Sequence, residues 1–248
     1  MIISRASVAS VLCLAGLASC AQAQVLALYN FDDPSFADIS GNGRNPTLNS
    51  GVTFAASGYE GGSAFFNGVS SYLEIPLNIN PSVVPQLTMG CWVRVDDDFN
   101  GPIRQFLSHD DGGFDRSLGI DFRGSATGYS AFTGTGVIGG TPVVANQWTF
   151  VAVVYDQTAG TVTLHVNGTS VSTNSTAGSG WSFTRIGTNP SFNEFYGGQI
   201  DNVFFIGRAL TPGEITTIRE GGINAIPTPG AGAMLLMGGL LGAKRRRR

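Results

Sequence analysis

The chain has 248 residues, 35 of them glycine; 42% are hydrophobic and only 12% charged, for a formal net charge of −3. Six of its 14 basic residues, Arg5 and the run Lys244–Arg248, lie at the two ends; the stretch between keeps 8 basic against 17 acidic residues, a net −9, with no lysine. Nucleic acid and anionic lipid are recognised by clustered Lys and Arg, so this composition argues against both as partners of the central region.

At the N-terminus, Arg5 precedes an apolar stretch from Val8 to Ala18, and Ala21-Gln22-Ala23 supplies small residues just before Gln24. This pattern predicts a secretory signal peptide over residues 1–23. Leu17-Ala18-Ser19-Cys20 also has the form of a lipobox, whose Cys20 would carry lipid; ordinary cleavage is preferred, because the other end of the chain already carries an address. Cleavage after Ala23 leaves Cys91 as the single cysteine, with no intramolecular disulfide possible, and its surroundings predict a small buried residue of a strand.

Residues 24–222 read as one domain, rich in short strands and turns. The loop Asp38-Ile39-Ser40-Gly41-Asn42-Gly43 is acidic and flexible, and Asn67-Gly68 reads as a tight turn between two alternating segments. Leu87 to Val95 alternates in part, and its Trp92 is expected in the core along with Trp148 and the Phe65-Phe66 pair. Asp96-Asp97-Asp98 and His109-Asp110-Asp111-Gly112-Gly113 read as solvated acidic turns, and Gly134 to Gly140 as a glycine loop without the helix that a nucleotide site requires. Trp148 to Tyr155 is a nearly continuous apolar run, which predicts a central strand covered on both faces. Thr161–Val166 and Thr169–Ser172 flank Asn167-Gly168 as a hairpin, since Asn-Gly readily takes the positive φ angles of a two-residue turn. Trp181, in a polar glycine-rich stretch, is the aromatic expected to be exposed. Pro212 to Arg219, with Thr211 as N-cap, is the one predicted helix. The fold class is therefore all-β, with one short C-terminal helix.

Several segments together resemble a family. Leu28-Tyr29-Asn30-Phe31-Asp32, Asp38 to Gly43 and Ala64 to Pro76 are similar to the opening of a LamG-like domain of the concanavalin A-like lectin/glucanase superfamily. Asn146-Gln147-Trp148 to Asp156, Val162 to Gly168 and Gly197 to Thr211 resemble its later strands, in the same order. The resemblance implies a jelly roll of two antiparallel sheets, and a structural calcium held by Asp38, Asn42 and Asp201. It also admits glycoside hydrolases, whose Glu-x-Asp-x-(x)-Glu strand is missing here: none of the five glutamates lies near an Asp at that spacing. His109 and His165 are the only histidines, and neither accompanies a nucleophile motif. The expectation is a non-catalytic module that binds extracellular glycan, with Trp181 as a stacking residue. An adhesive envelope protein recognising protein partners is the alternative, and a divergent glycosidase a remote one.

Residues 223–248 close the chain with Pro227-Thr228-Pro229-Gly230, an apolar run from Ala231 to Ala243 and the basic tail. Spanning a bilayer takes about 20 apolar residues, so this run is too short for a comfortable span. The layout resembles the PEP-CTERM sorting signal, with Thr228 in place of the Glu. The resemblance implies an exosortase partner, transient membrane insertion before processing, and an exported protein of a bacterial surface or matrix.

Overall fold

The computed structural model describes residues 24–96, 103–123 and 127–226. The predicted signal peptide, the tail after Ile226, and Asp97 and Asp98 lie outside these residues. The described strands are β1 (Val25–Tyr29), β2 (Leu48–Ser50), β3 (Thr53–Ala55), β4 (Ser63–Asn67), β5 (Tyr72–Ile75), β6 (Gln86–Val95), β7 (Arg104–Ser108), β8 (Ser117–Asp121), β9 (Gly128–Phe132), β10 (Val137–Thr141), β11 (Trp148–Asp156), β12 (Thr161–Val166), β13 (Thr169–Asn174), β14 (Thr184–Ile186) and β15 (Gly197–Ile206). The helix α1 spans Pro212–Gly221, and a 3-10 turn follows at Ile223–Ala225.

Eight strands form one antiparallel sheet in the order β13-β12-β11-β6-β15-β4-β3, with β1 paired to the second half of β15; seven form the other in the order β10-β9-β8-β7-β14-β5-β2. This is the expected jelly-roll sandwich. Between the sheets, alternate residues of facing strands close the main core, among them Met89, Cys91, Val93, Val151, Val153, Tyr155, Leu118, Ile120, Phe106 and Tyr196.

β11 shows why its sequence is apolar without a break. Val151, Val153 and Tyr155 enter the sandwich core, while Phe150, Ala152 and Val154 face outward into a second cluster with Trp92, Phe204, Leu210, Ile215 and Ile218. That cluster is roofed by α1. The helix starts where predicted, with a capping box in which the Thr211 side chain accepts from Glu214 N and the Glu214 carboxylate accepts from Thr211 N. Burying Ile215 and Ile218 contributes about 1.5–3 kcal/mol each, which holds α1 on the sheet. The centre of the eight-stranded sheet is thus covered on both faces, while its edge strands β13 and β3 stay largely exposed. In the seven-stranded sheet, β8 and β9 are likewise buried along their whole length.

Three local expectations change. The Asn167-Gly168 hairpin forms, yet only Asn167 takes a positive φ, of 50°: its N–H donates to Phe150 O and its Oδ1 accepts from Phe150 N, which clamps the turn to β11. Gly134 to Gly140 is not one loop, because Val137–Thr141 pairs with β9 as an edge strand. Asn67-Gly68 is a tight turn, but the strands it joins lie in different sheets; Asn67 Oδ1 accepts from the N–H groups of Val69, Ser70 and Ser71 and turns the chain from β4 across to β5.

Candidate functional site

Strand register decides which side chains share the outer face of the seven-stranded sheet. Gln105 pairs with Gly119, Gly119 with Ser130, and Ser130 with Gly139, so these four stand in one row; Asp121 and Phe132, two residues further along their strands, stand on the same face. Leu118, Ile120, Tyr129 and Ala131 fill the core from the other side. The two glycines leave a floor with few side chains.

Two loops rise over this floor. One follows β7 and carries Asp110 to Phe114; the other joins β14 to β15 and carries Asn189 to Glu194. Gln105 N donates to Glu194 O at 3.0 Å, and Asn189 Nδ2 donates to Asp110 Oδ2 at 2.8 Å and to Glu194 Oε2 at 3.0 Å, so one amide ties the loops together. Arg123, just past β8, places Nη2 2.6 Å from Asp121 Oδ2 and 3.9 Å from Glu194 Oε1. Its guanidinium carbon lies 5.0 and 5.2 Å from the ring centroids of Phe114 and Phe132. Asp110, Gly112, Phe114, Arg123, Phe132, Phe192 and Glu194 line a cavity of about 90 Å³, with Phe192 half exposed.

The electrostatics of this cavity are uneven. Asp110 and Asp121 are buried, and Arg123 is the single cation among the lining residues. Burial pushes the Glu194 carboxyl above its ordinary value, with Asp110 and Asp121 adding to the rise and Asn189 and Arg123 opposing it. Phe114 holds φ at +56°, a left-handed conformation that costs a bulky residue on the order of 1–2 kcal/mol. Its ring packs edge-on against Phe132 at 5.4 Å, so the strain aims an aromatic wall into the cavity. On the floor, Gln105 and Ser130 are fully buried, and Gln105 Oε1, Gln105 Nε2 and Ser130 Oγ have no hydrogen-bond partner among the described residues. Unmet buried polar atoms cost about 1–3 kcal/mol each; these atoms lie beneath the surface and do not line the cavity.

Trp181 is exposed as expected, at 46%. Its Nε1–H donates to Ser191 Oγ at 2.9 Å, next to Phe192, and its ring stacks on Phe183 with centroids 5.5 Å apart. The strip continues through Arg185, whose guanidinium lies 5.6 Å from the Phe183 ring centroid and 4.2 Å from that of Tyr72, and which pairs with Glu74 at 3.1 Å. Trp92, by contrast, is buried, stacked on Tyr59 and edge-on to Phe150, and Trp148 packs against the second core cluster. A larger groove of about 500 Å³ lies elsewhere, lined by Gln24, Leu26, Arg44, Pro76 and Val83 among others; its one charged side chain, Arg44, is already bonded to Pro76 O. It offers volume without converging chemistry.

The acidic turn after β7 is solvated at Asp111, Gly112 and Gly113, but Asp110 and the following Asp115 are buried: Asp115 N donates to Asp110 Oδ1 and Asn189 of the 189–194 loop donates to Asp110 Oδ2. Burial also raises the Asp115 carboxyl to about 6. His109 is buried, with Nδ1 3.2 Å from Trp181 O, and burial lowers its pKa to about 4; the neutral ring positions the Trp181 segment. His165 is buried within the hairpin.

Asp38 and Asn42 share a turn whose polar atoms serve the chain itself. Asp38 accepts from Leu28 N, Ser40 N, Ser40 Oγ and Arg44 N, and Asn42 Nδ2 donates to the carbonyls of Val25 and Leu26. Asp201 is engaged elsewhere, accepting from Glu60 N and Asn202 N. Among the described residues no three His, Cys, Asp or Glu side chains converge as a metal-binding group. Burial, with Asp32 adding like charge, raises the Asp201 carboxyl to about 7 despite the N–H groups it accepts.

Residues 66–216 match the family described as the concanavalin A-like lectin/glucanases superfamily. The chain belongs to this superfamily. No curated protein matches the sequence. Solved structures share the superfamily fold at low identity. Domain 4 of AbnA, a GH43 extracellular arabinanase from Geobacillus stearothermophilus, in complex with arabinotriose, is 21% identical with a TM-score of 0.61, over 79% of this chain and 98% of that one. The binding domain of Paraclostridial Mosquitocidal Protein 1 is 16% identical (TM-score 0.62, 80% of this chain and 52% of that one). The binding domain of botulinum neurotoxin DC in complex with SialylT is 12% identical (TM-score 0.62, 80% and 51%), so this chain spans about half of either toxin domain.

Proposed function

We propose that this protein is an exported, non-catalytic surface module that binds carbohydrate on the outer face of its seven-stranded sheet, at the cavity between Asp110, Glu194, Arg123 and the aromatic residues Phe114, Phe132 and Phe192. The observation that carries this reading is the arrangement of hydrogen-bonding carboxylates and an amide among aromatic walls, the combination a sugar ring with apolar faces and polar edges requires. The arabinotriose complex of a domain with this fold adds support. Asp110 and Glu194 do meet in space, although no strand motif joins them. Both, however, are bonded to Asn189, and about 90 Å³ is well below the roughly 300 Å³ at which ligand sites begin, so the cavity takes the end or edge of a glycan and does not enclose a scissile bond.

A glycan array with the full-length protein tests the reading. Reproducible selectivity that is lost in Asn189→Ala supports it, and blank arrays with co-purification of a surface protein favour the adhesive alternative. Trp181→Ala is expected to weaken a glycan hit by about 1–2 kcal/mol, roughly fivefold to thirtyfold, because the indole face is open while its N–H is spent on Ser191. Equal affinities by titration calorimetry would remove Trp181 from the site.

Export and sorting complete the proposal: the signal peptide delivers the chain, and the segment beyond Ile226 is cut away by an exosortase-type enzyme after transient membrane insertion. Mass spectrometry of the protein from its native host should find the surface species without the terminal arginines; an intact arginine cluster defeats this part. A calcium ion near Asp201 is proposed as the stabilising cation.

A further inference from the structure

We infer that the cavity selects a glycan carrying a cationic amine, an amino sugar with a free ammonium, over neutral or acidic sugars. The inference rests on the carbohydrate reading of this same site and gives it a charge preference. Three carboxylates, Asp110, Asp121 and Glu194, stand around the cavity, and the one lining cation, Arg123, is committed to Asp121 at 2.6 Å and only grazes Glu194 at 3.9 Å. Asp110 and Glu194 share a neutral amide, Asn189, and Asp110 accepts one further neutral donor, Asp115 N. Three phenylalanine rings close the sides, and Arg123 already shows what they accept, since its guanidinium lies over two of them within about 5 Å. An ammonium entering beside Phe192 meets two carboxylates, Asp110 and Glu194, and an aromatic wall. A carboxylate-bearing sugar would face like charges in the same place. The net −9 of the region between the terminal tags draws the same class of partner from a distance and repels acidic polymers.

The test is titration of the full-length protein with three series of β-1,4-linked oligosaccharides: deacetylated glucosamine, glucose and glucuronate oligomers. The amine series is expected to bind at least about tenfold tighter than the glucose series, the value of one charge-assisted contact, and the glucuronate series not at all. Glu194→Gln should bring the amine-to-glucose ratio down to about one. Arg123→Gln, which removes the internal cation, should raise it, so the two variants move the ratio in opposite directions and a general loss of folding cannot imitate the pattern. Glucose oligomers binding as tightly as amines, or a ratio unmoved by both variants, overturns the charge preference while leaving the carbohydrate reading in place. Binding of oligolysine without any saccharide binding assigns the cavity to a basic peptide and overturns it too. Silence from all three series, with the variants folded, removes the carbohydrate reading itself.

Discussion

Arg116→Met should destabilise the domain by about 4 kcal/mol or more, seen as a lower denaturant midpoint with an unchanged slope. Arg116 is fully buried, and no carboxylate pairs with it in the described structure. Its Nη1 donates to the carbonyls of Ile79 and Val84 at 2.7 and 2.6 Å, its Nη2 to Pro85 O at 3.2 Å, and its guanidinium lies 5.3 Å from the Tyr155 ring centroid. All three carbonyls belong to the segment that carries the chain from β5 in one sheet to β6 in the other. One planar fork therefore staples the crossover to the core, and a methionine in its place would leave the buried carbonyls of Ile79 and Val84 without that donor, while Pro85 O keeps Gln157 N. Arg116→Lys should recover only part of the loss, because an ammonium on a flexible stem cannot match the fork's reach to all three oxygens. A cost below about 1 kcal/mol for either variant would show that the segment holds itself.

The fold was readable because its strongest signals are local. The doubly apolar run of β11, the Asn-Gly turn of the β12–β13 hairpin and the Thr211-Pro212 start of α1 each depend on neighbours a few residues away, and each appears in place. Trp181 was readable for the same reason: its polar, glycine-rich flanks leave the ring half exposed, with Phe183 stacked on it. The cavity was not. Asp110, Arg123, Asn189 and Glu194 lie in three segments that only the folded sheet and its loops bring together. A search for alternating acids along one strand misses a carboxylate pair assembled by two loops over a sheet. Phe114 offered the one local hint, an aromatic directly after Gly112-Gly113, where a backbone strained into the left-handed region places a ring where extended chain would not.

Asp201 gives the second large effect, and its sign is the reverse of that for an ordinary ion-paired aspartate. Burial, with Asp32 adding like charge, raises its carboxyl to about 7 in the native state from the usual carboxylate range. Between pH 4 and 7 the native protein therefore holds a proton that the unfolded chain has released, and stability falls as pH rises through that window. The loss should reach about 4 kcal/mol at most by pH 8 and stay constant above. Asp115, raised to about 6, adds in the same direction, while His109, lowered to about 4, works against both, because a native ring that stays neutral costs stability as pH falls below its unfolded value. Asp201→Asn isolates the one term: the variant should gain on the wild type progressively from pH 4 to pH 8 in the presence of chelator, measured by urea denaturation at each pH. If calcium is held beside Asp201, millimolar calcium should restore most of the wild-type stability at pH 8, since an ion that binds only the folded state stabilises it by mass action, by about 3 kcal/mol at a hundredfold excess over its dissociation constant. The Asn variant should respond little. A wild type whose stability follows the same pH curve as Asp201→Asn would place the charge in water after all, and a wild type indifferent to calcium would leave Asp201 a buried acid without an ion.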